Sequence, residues 1–204
     1  SVSLDYLKQA YKSRSAALAA LKESLDSLKS EPPHRETMRV LITLSNDAWR
    51  IEEPPDWELA QHYAQDAVDM SNKLDSHVDR SRALGTLATV LDGRSLLHEH
   101  HEVTQQRLAL CRQPGFDDLS ESTEALRSAG AALMYIGEYE KAMPYLKEVE
   151  ELAVRTRVIE QQANALGLQA QCWFRLDRWD EVLTTEEKWR DLEQRYPRER
   201  VGET

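Results

Sequence analysis

Between Ala125 and Ala153 the chain carries two apolar stripes with almost nothing between them. Leu126, Ala129, Leu133 and Ile136 recur at spacings of 3, 4 and 3, and Ala142, Leu146, Val149 and Ala153 at 4, 3 and 4. Each set fits one face of a helix of about 3.6 residues per turn. Gly137, Glu138 and Tyr139 lie between them and fit a sharp reversal. Small side chains at Ala129, Ala132 and Ala142 let the two backbones approach closely. A single pair of this kind cannot bury its own stripe, so the rest of the chain has to supply further pairs.

It does so at regular intervals. Trp57 and Ala60 precede Tyr139 and Ala142 by 82 residues, about two repeats. Gly85 and Leu97 precede Gly130 and Ala142 by 45 residues. Asp177, Trp179 and Val182 follow Gly137, Tyr139 and Ala142 by 40 residues. The order Gly137, Tyr139, Ala142 within this stretch resembles a tetratricopeptide repeat, and the period of 40 to 45 residues resembles the long repeats of bacterial signal-transduction proteins, including maltose-regulator-like transcription activators. The resemblance implies an all-α fold: an α-α superhelix, a tetratricopeptide-like solenoid of antiparallel helix pairs. It also implies a concave face, lined by the first helix of each pair, on which peptides or partner helices lie.

The expected organisation is one helical repeat domain over residues 1–204, with a long N-terminal helix in 1–31 and helix pairs at 36–75, 78–113, 120–158 and 160–196. In the first helix Leu4, Leu7, Tyr11, Arg14, Leu18, Leu21, Leu25 and Leu28 alternate at 3 and 4, interrupted only by Arg14. That seam packs against neighbours within the chain, joins two copies as a homodimer, or is a linker helix from an upstream domain. Pro32 and Pro33 end it. Asp56 is placed to cap the helix that starts at Trp57. Asp92, Gly93 and Arg94 are expected to form a turn, and Phe116 and Leu119 to tuck back onto the core. Nothing alternates as a strand would.

Acidic residues outnumber basic ones 36 to 26, giving a net charge of -10. That disfavours a general nucleic-acid surface, which needs a basic footprint, so direct nucleic-acid binding by this segment is not expected. No apolar run is long enough for a membrane span. The start, SVSLDYLKQ, has neither an initiator Met nor a signal-peptide apolar region, which suits a segment of a longer, cytoplasmic protein. Cys111 and Cys172, far apart, read as ordinary thiols in a reducing compartment.

Catalytic signals are weak. His98, Glu99, His100, His101 and Glu102 come close to a zinc-binding HExxH, but Glu102 stands where the second His belongs. His98 shares a helical face with His101 and Glu102, yet zinc sites need three or four ligands, and no partner cluster is visible. His101 falls on the apolar spacing of its helix, as a core or interfacial residue does. A metal-dependent enzyme using the His98–Glu102 region is the least favoured of three readings, and no catalytic residue, metal ligand or cofactor is assigned. Of the five tryptophans, Trp57 and Trp179 sit where an aromatic plugs a helix–helix joint, Trp173 neighbours a Cys172 expected to be buried, and Trp49 and Trp189 are either structural or interface anchors.

The favoured reading is a scaffold that binds a protein or peptide inside a larger regulatory protein. The second is a regulatory domain that senses a small effector. Polar residues beside the apolar stripes of the first helices are the candidate groove: Asn46, Arg50, Arg82, Thr86, Arg127, Asn164, Gln171 and Arg175. Arg82 and Arg127 share the 45-residue offset, and arginines so placed suit carboxylates, because the guanidinium fork donates to two oxygens at once.

Overall fold

The computed structural model describes residues 4–28, 32–50 and 54–196, and within the first helix it describes side chains from residue 16 onward. The described residues form nine α-helices and no strand: α1 Leu4–Leu28, α2 Arg35–Arg50, α3 Trp57–Ser71, α4 His77–Gly93, α5 Leu97–Cys111, α6 Leu119–Tyr135, α7 Tyr139–Thr156, α8 Ile159–Arg175 and α9 Trp179–Arg195. Contacts divide the chain into two compact units, residues 1–103 and 104–204. In the first, α2 lies against α1, α3 and α4. In the second, α6 lies against α7 and α8, and α8 against α9. The architecture is that of an all-α, tetratricopeptide-like α-α superhelix of antiparallel pairs.

The stripes face inward as their spacing dictates. Leu126, Ala129, Leu133, Ala142, Leu146, Val149 and Ala153 are all buried. Two apolar clusters fill the second unit: one joins Leu108, Ala125, Leu126, Ala129, Val149 and Ala165, the other Leu133, Met134, Ala142, Met143, Leu146 and Cys172. A methyl group on Gly130 would come within 2.8 Å of the Leu146 side chain, so this position stays small to let α6 approach α7. In the first unit Leu41, Leu44 and Ala48 of α2 and Ala60, Ala64 and Ala67 of α3 are buried where the two helices pack, and the Ser45 hydroxyl donates to the Ala60 carbonyl at 2.8 Å. Ile51, at the spacing that continues this stripe, lies outside the described residues.

Helix ends repeat one device. The Glu138 N–H donates to the Leu133 carbonyl across Gly137, whose φ is +81°. Leu96 closes on Leu91, Val158 on Ala153 and Arg178 on Trp173 in the same way, around Ser95, Arg157 and Asp177 at φ of 58°, 58° and 55°. Each is a helix stop with one left-handed residue, satisfying a carbonyl that would otherwise lack a partner. The turn after α4 therefore pivots on Ser95, and Gly93 remains within the helix. Its bare Cα is needed there for a different reason: a methyl group would sit 2.2 Å from the Trp57 ring. That ring stacks on Trp49 with centroids 5.5 Å apart.

N-termini are capped as the sequence suggests. Asp56 accepts from the Leu59 N–H at 2.9 Å, Ser76 from Asp79 at 3.2 Å and Asp118 from Glu121 at 2.9 Å. The third residues of α4 and α6, Asp79 and Glu121, are buried acids that each meet an arginine. Arg35 reaches Asp79 at 2.7 Å, and Arg107 reaches Glu121 at 2.7 Å through one nitrogen and 3.0 Å through another. Leu119, expected to tuck into the core, is half exposed, because it starts α6 on the solvent side.

The helix starts also fix the repeat. Second helices begin at Trp57, Leu97, Tyr139 and Trp179, steps of 40, 42 and 40. First helices begin at Arg35, His77, Leu119 and Ile159, steps of 42, 42 and 40. The 45-residue offset is thereby corrected to 42: Leu97 matches Tyr139, and His100 matches Ala142. Arg82 then matches Glu124, so Arg82 and Arg127 do not occupy equivalent positions.

Candidate binding cleft

Two adjacent first helices, α6 and α8, expose a stripe along their length. The sixth residues of the four first helices are Val40, Arg82, Glu124 and Asn164, and the last residues of α6 and α8 are Tyr135 and Arg175. In the second unit this stripe carries Glu124, Arg127 and Tyr135 on α6 and Asn164, Gln171 and Arg175 on α8. Four of the candidate groove residues therefore share it.

At its C-terminal end the stripe opens into a cavity of about 580 Å³ lined by Met134, Tyr135, Tyr139, Ala170, Gln171, Phe174 and Arg175. The aromatic rings of Tyr135 and Phe174 are half exposed. Among the described residues Arg175 has no ion-pair partner. Its guanidinium is available to a ligand beside an apolar wall, where excluding water strengthens a charged hydrogen bond.

Arg127 is engaged differently. It holds Glu124 through two hydrogen bonds, 2.9 and 2.5 Å. Burial raises the Glu124 pKa, but the hydrogen bond from Arg127 and the charges of Arg127 and Arg107 outweigh it and leave the group below the ordinary glutamate value. The bond to Glu124 in turn holds the Arg127 pKa above its usual value, against desolvation.

In the first unit Arg82 is exposed on α4, whereas Thr86 is nearly buried and its hydroxyl donates to the Arg82 carbonyl at 3.3 Å. Asn46 is half-buried, and the exposed Arg50 lies over the Trp49 ring at 4.8 Å. Trp49 thus belongs to a stack with Trp57, and its Nε1 finds no acceptor among the described residues. Trp189 lines a second cavity of about 400 Å³ with Asn164 and Tyr196. Trp179, expected to plug a joint as Trp57 does, is largely exposed and meets Phe174 edge-on. The difference is in what covers the ring: Trp57 has Trp49 on one side and α4 at Gly93 on another, and among the described residues Trp179 has no such cover.

The histidine run does not form a ligand set. His98 is exposed, His101 is half-buried, and His100, not His101, is the core residue of α5. Among the described residues no three His, Cys, Asp or Glu side chains gather where they could hold a metal ion. Cys172 is buried, and burial pushes its thiol up to about 11, opposite to the shift that activates a nucleophile.

Paired helices, joints closed on a left-handed residue and a step of 40 to 42 residues define the class: this is a tetratricopeptide-like repeat scaffold. No protein-family model matches the sequence, and no curated protein does. Solved structures match the fold. Nearly identical tetratricopeptide-like repeats from Podosopora anserina, of kinesin light chain type, are 15% identical with a TM-score of 0.75, over 94% of this chain and 93% of that one. BtubC from P. vanneervenii is 13% identical with a TM-score of 0.79, over 95% and 77%. PlcR from Bacillus thuringiensis, solved with the peptide PapR7 and DNA, is 13% identical with a TM-score of 0.68, over 95% and 72%. At these identities the likeness is one of fold.

Proposed function

We propose that residues 1–204 act as one helical repeat domain that binds a protein or peptide within a larger, cytoplasmic regulatory protein, of the kind the long-period activator repeats suggest. The observation that carries this is the cleft at the ends of α6 and α8, where a half-exposed aromatic wall stands beside Arg175 and Gln171. An apolar side chain next to a carboxylate fits such a wall: the ring surface takes the first, and the guanidinium takes the second. The peptide seen with PlcR supports a peptide ligand for a scaffold of this fold. Asn164 and Arg127 extend the surface along the same stripe. In the other unit, Asn46, Arg50 and Arg82 remain proposed contacts, with Thr86 acting through its neighbours. Direct nucleic-acid binding forms no part of the proposal, and no described helix is long and apolar enough to cross a membrane.

A small effector is the second reading, favoured by one fact: about 580 Å³ lies within the span of small-molecule pockets, roughly 300–1,000 Å³. Selection of short random peptides on the purified protein tests the first reading. Enriched sequences should pair an apolar residue with a nearby acid or free C-terminus. Their binding should weaken in the Arg175→Ala, Tyr135→Ala variant while its thermal midpoint stays near that of the parent. No enrichment, or equal binding to the variant, would remove the cleft as a peptide site.

A further inference from the structure

The turn from α7 into α8 pivots on Arg157, at φ 58° and ψ 33°. The described residues with positive φ are Gly115, Gly137, Ser95, Asp177 and Arg157, and Arg157 is the one long side chain among them. Glycine adopts that backbone freely and aspartate tolerates it, whereas a bulky side chain is strained there. Strain of this kind collects at binding sites. Arg157 lines a cavity of about 290 Å³ between the end of α7, the start of α8 and the second half of α9. All its walls belong to described helices of one unit. Lys188 donates to Glu150 at 3.1 Å, and Arg195 pairs with Asp191 at 2.6 Å. The amide of buried Gln169 donates to the other oxygen of Glu150 at 2.9 Å, which fixes that pair from below. Among the described residues Arg157 has no ion-pair partner, so it is the surplus positive charge of the cavity. Beside it stands an apolar wall of Val154, Ile159, Leu192 and Tyr196, of which Val154 and Tyr196 are half exposed.

We propose that this cavity binds a small organic monoanion, a carboxylate on a short branched or aromatic body, anchored by Arg157. The guanidinium fork donates to both oxygens of one carboxylate, and the body of the ligand lies on Val154, Ile159 and Tyr196. One charge is the number the cavity asks for. Lys188 and Arg195 are already neutralised by Glu150 and Asp191, so a second negative charge on the ligand would meet no unpaired cation. The volume sets the size: ligand pockets span roughly 300–1,000 Å³, and this one is at the small end. A turn that needed only the reversal would be served better by glycine, as it is at Gly137. Arginine at this position exchanges backbone comfort for a guanidinium at the cavity. The site lies at the opposite end of α8 from Arg175 and does not rest on the cleft reading.

The probes are 3-methylbutanoate and benzoate, titrated into the whole chain with its methyl groups isotopically labelled. The nuclear magnetic resonance signals of Val154, Ile159 and Leu192 should shift together and saturate with at least one of the two acids. Arg157→Gly should weaken that binding about tenfold or more, the worth of a charge-assisted hydrogen bond in affinity. Its thermal midpoint should hold or rise, because glycine relieves the left-handed backbone. Arg157→Gln, which keeps a polar side chain and removes the charge, should lose affinity in the same direction. The neutral amide of the acid that binds should bind more weakly than the acid itself. Arg175→Ala, which tests the cleft, should leave this binding unchanged. No saturable shift with either acid overturns the proposal, as does equal affinity in the parent and the two Arg157 variants, or equal affinity for acid and amide. A lowered midpoint in Arg157→Gly would show that the side chain serves the fold, and it would overturn the proposal too.

Discussion

Arg107 and Glu121 are both buried, and each is the other's compensation for lost hydration. Removing one leaves an uncompensated charge in the core, which costs about 3–5 kcal/mol, whereas replacing both with apolar residues costs much less. Urea unfolding of Arg107→Met, Glu121→Leu and the double variant should therefore show the double as more stable than either single. Additive losses would mean the pair is solvated. The Glu124–Arg127 pair is of another kind, since both side chains keep more than a third of their surface in water. The lowered Glu124 pKa contributes stability above the ordinary glutamate range, and this is lost as pH falls through the lowered value. The contribution is small, because solvent screens it. Between neutral pH and about pH 3, Arg127→Met should lose less stability than the parent, because it lacks the partner that acid removes. Equal losses would show that the pair contributes nothing.

At the scale of elements, helix starts and stops follow from local chemistry. Asp56, Ser76 and Asp118 hold the first-turn amides. Period alone places the buried faces of α3, α4, α6 and α7. It does less well on α5 and α8, for a physical reason. Their inward residues include His100, Thr104 and Arg107 on α5 and Gln169 on α8. Arg107 and Gln169 are satisfied inside by Glu121 and by Leu146 and Glu150. Apolar spacing cannot register polar groups whose partners come from other helices, which is why His101 looked inward and the repeat offset came out as 45. In α1, Leu25 is buried and Leu18 and Leu21 are half-buried. That supports packing of the seam within the chain, and the homodimer remains the alternative to test. Sedimentation of Leu18→Asp, Leu21→Asp beside the parent separates them. A monomer in both, with the variant less stable, is expected. A parent dimer that becomes a well-folded monomer would assign the seam to two chains.

At the scale of the molecule, the repeat scaffold was legible because each pair repeats one pattern, and the joint at Gly137 states it most fully. The cleft was legible in part. Gln171 and Arg175 were placed from their position beside a stripe, but Tyr135 and Phe174 were not. An aromatic residue in the last turn of a first helix looks the same in sequence whether the next pair covers it or leaves it open. Which of these holds depends on packing between pairs: Met134 is covered, and Phe174, one repeat on, is not. Peptide recognition at the ends of α6 and α8 is the proposed function of this scaffold. Its most direct test is nuclear magnetic resonance of the labelled chain titrated with a selected peptide. Shifts should concentrate on Tyr135, Tyr139, Gln171, Phe174 and Arg175 and saturate together. Shifts confined to α2 and α4, or none at saturating peptide, would contradict it.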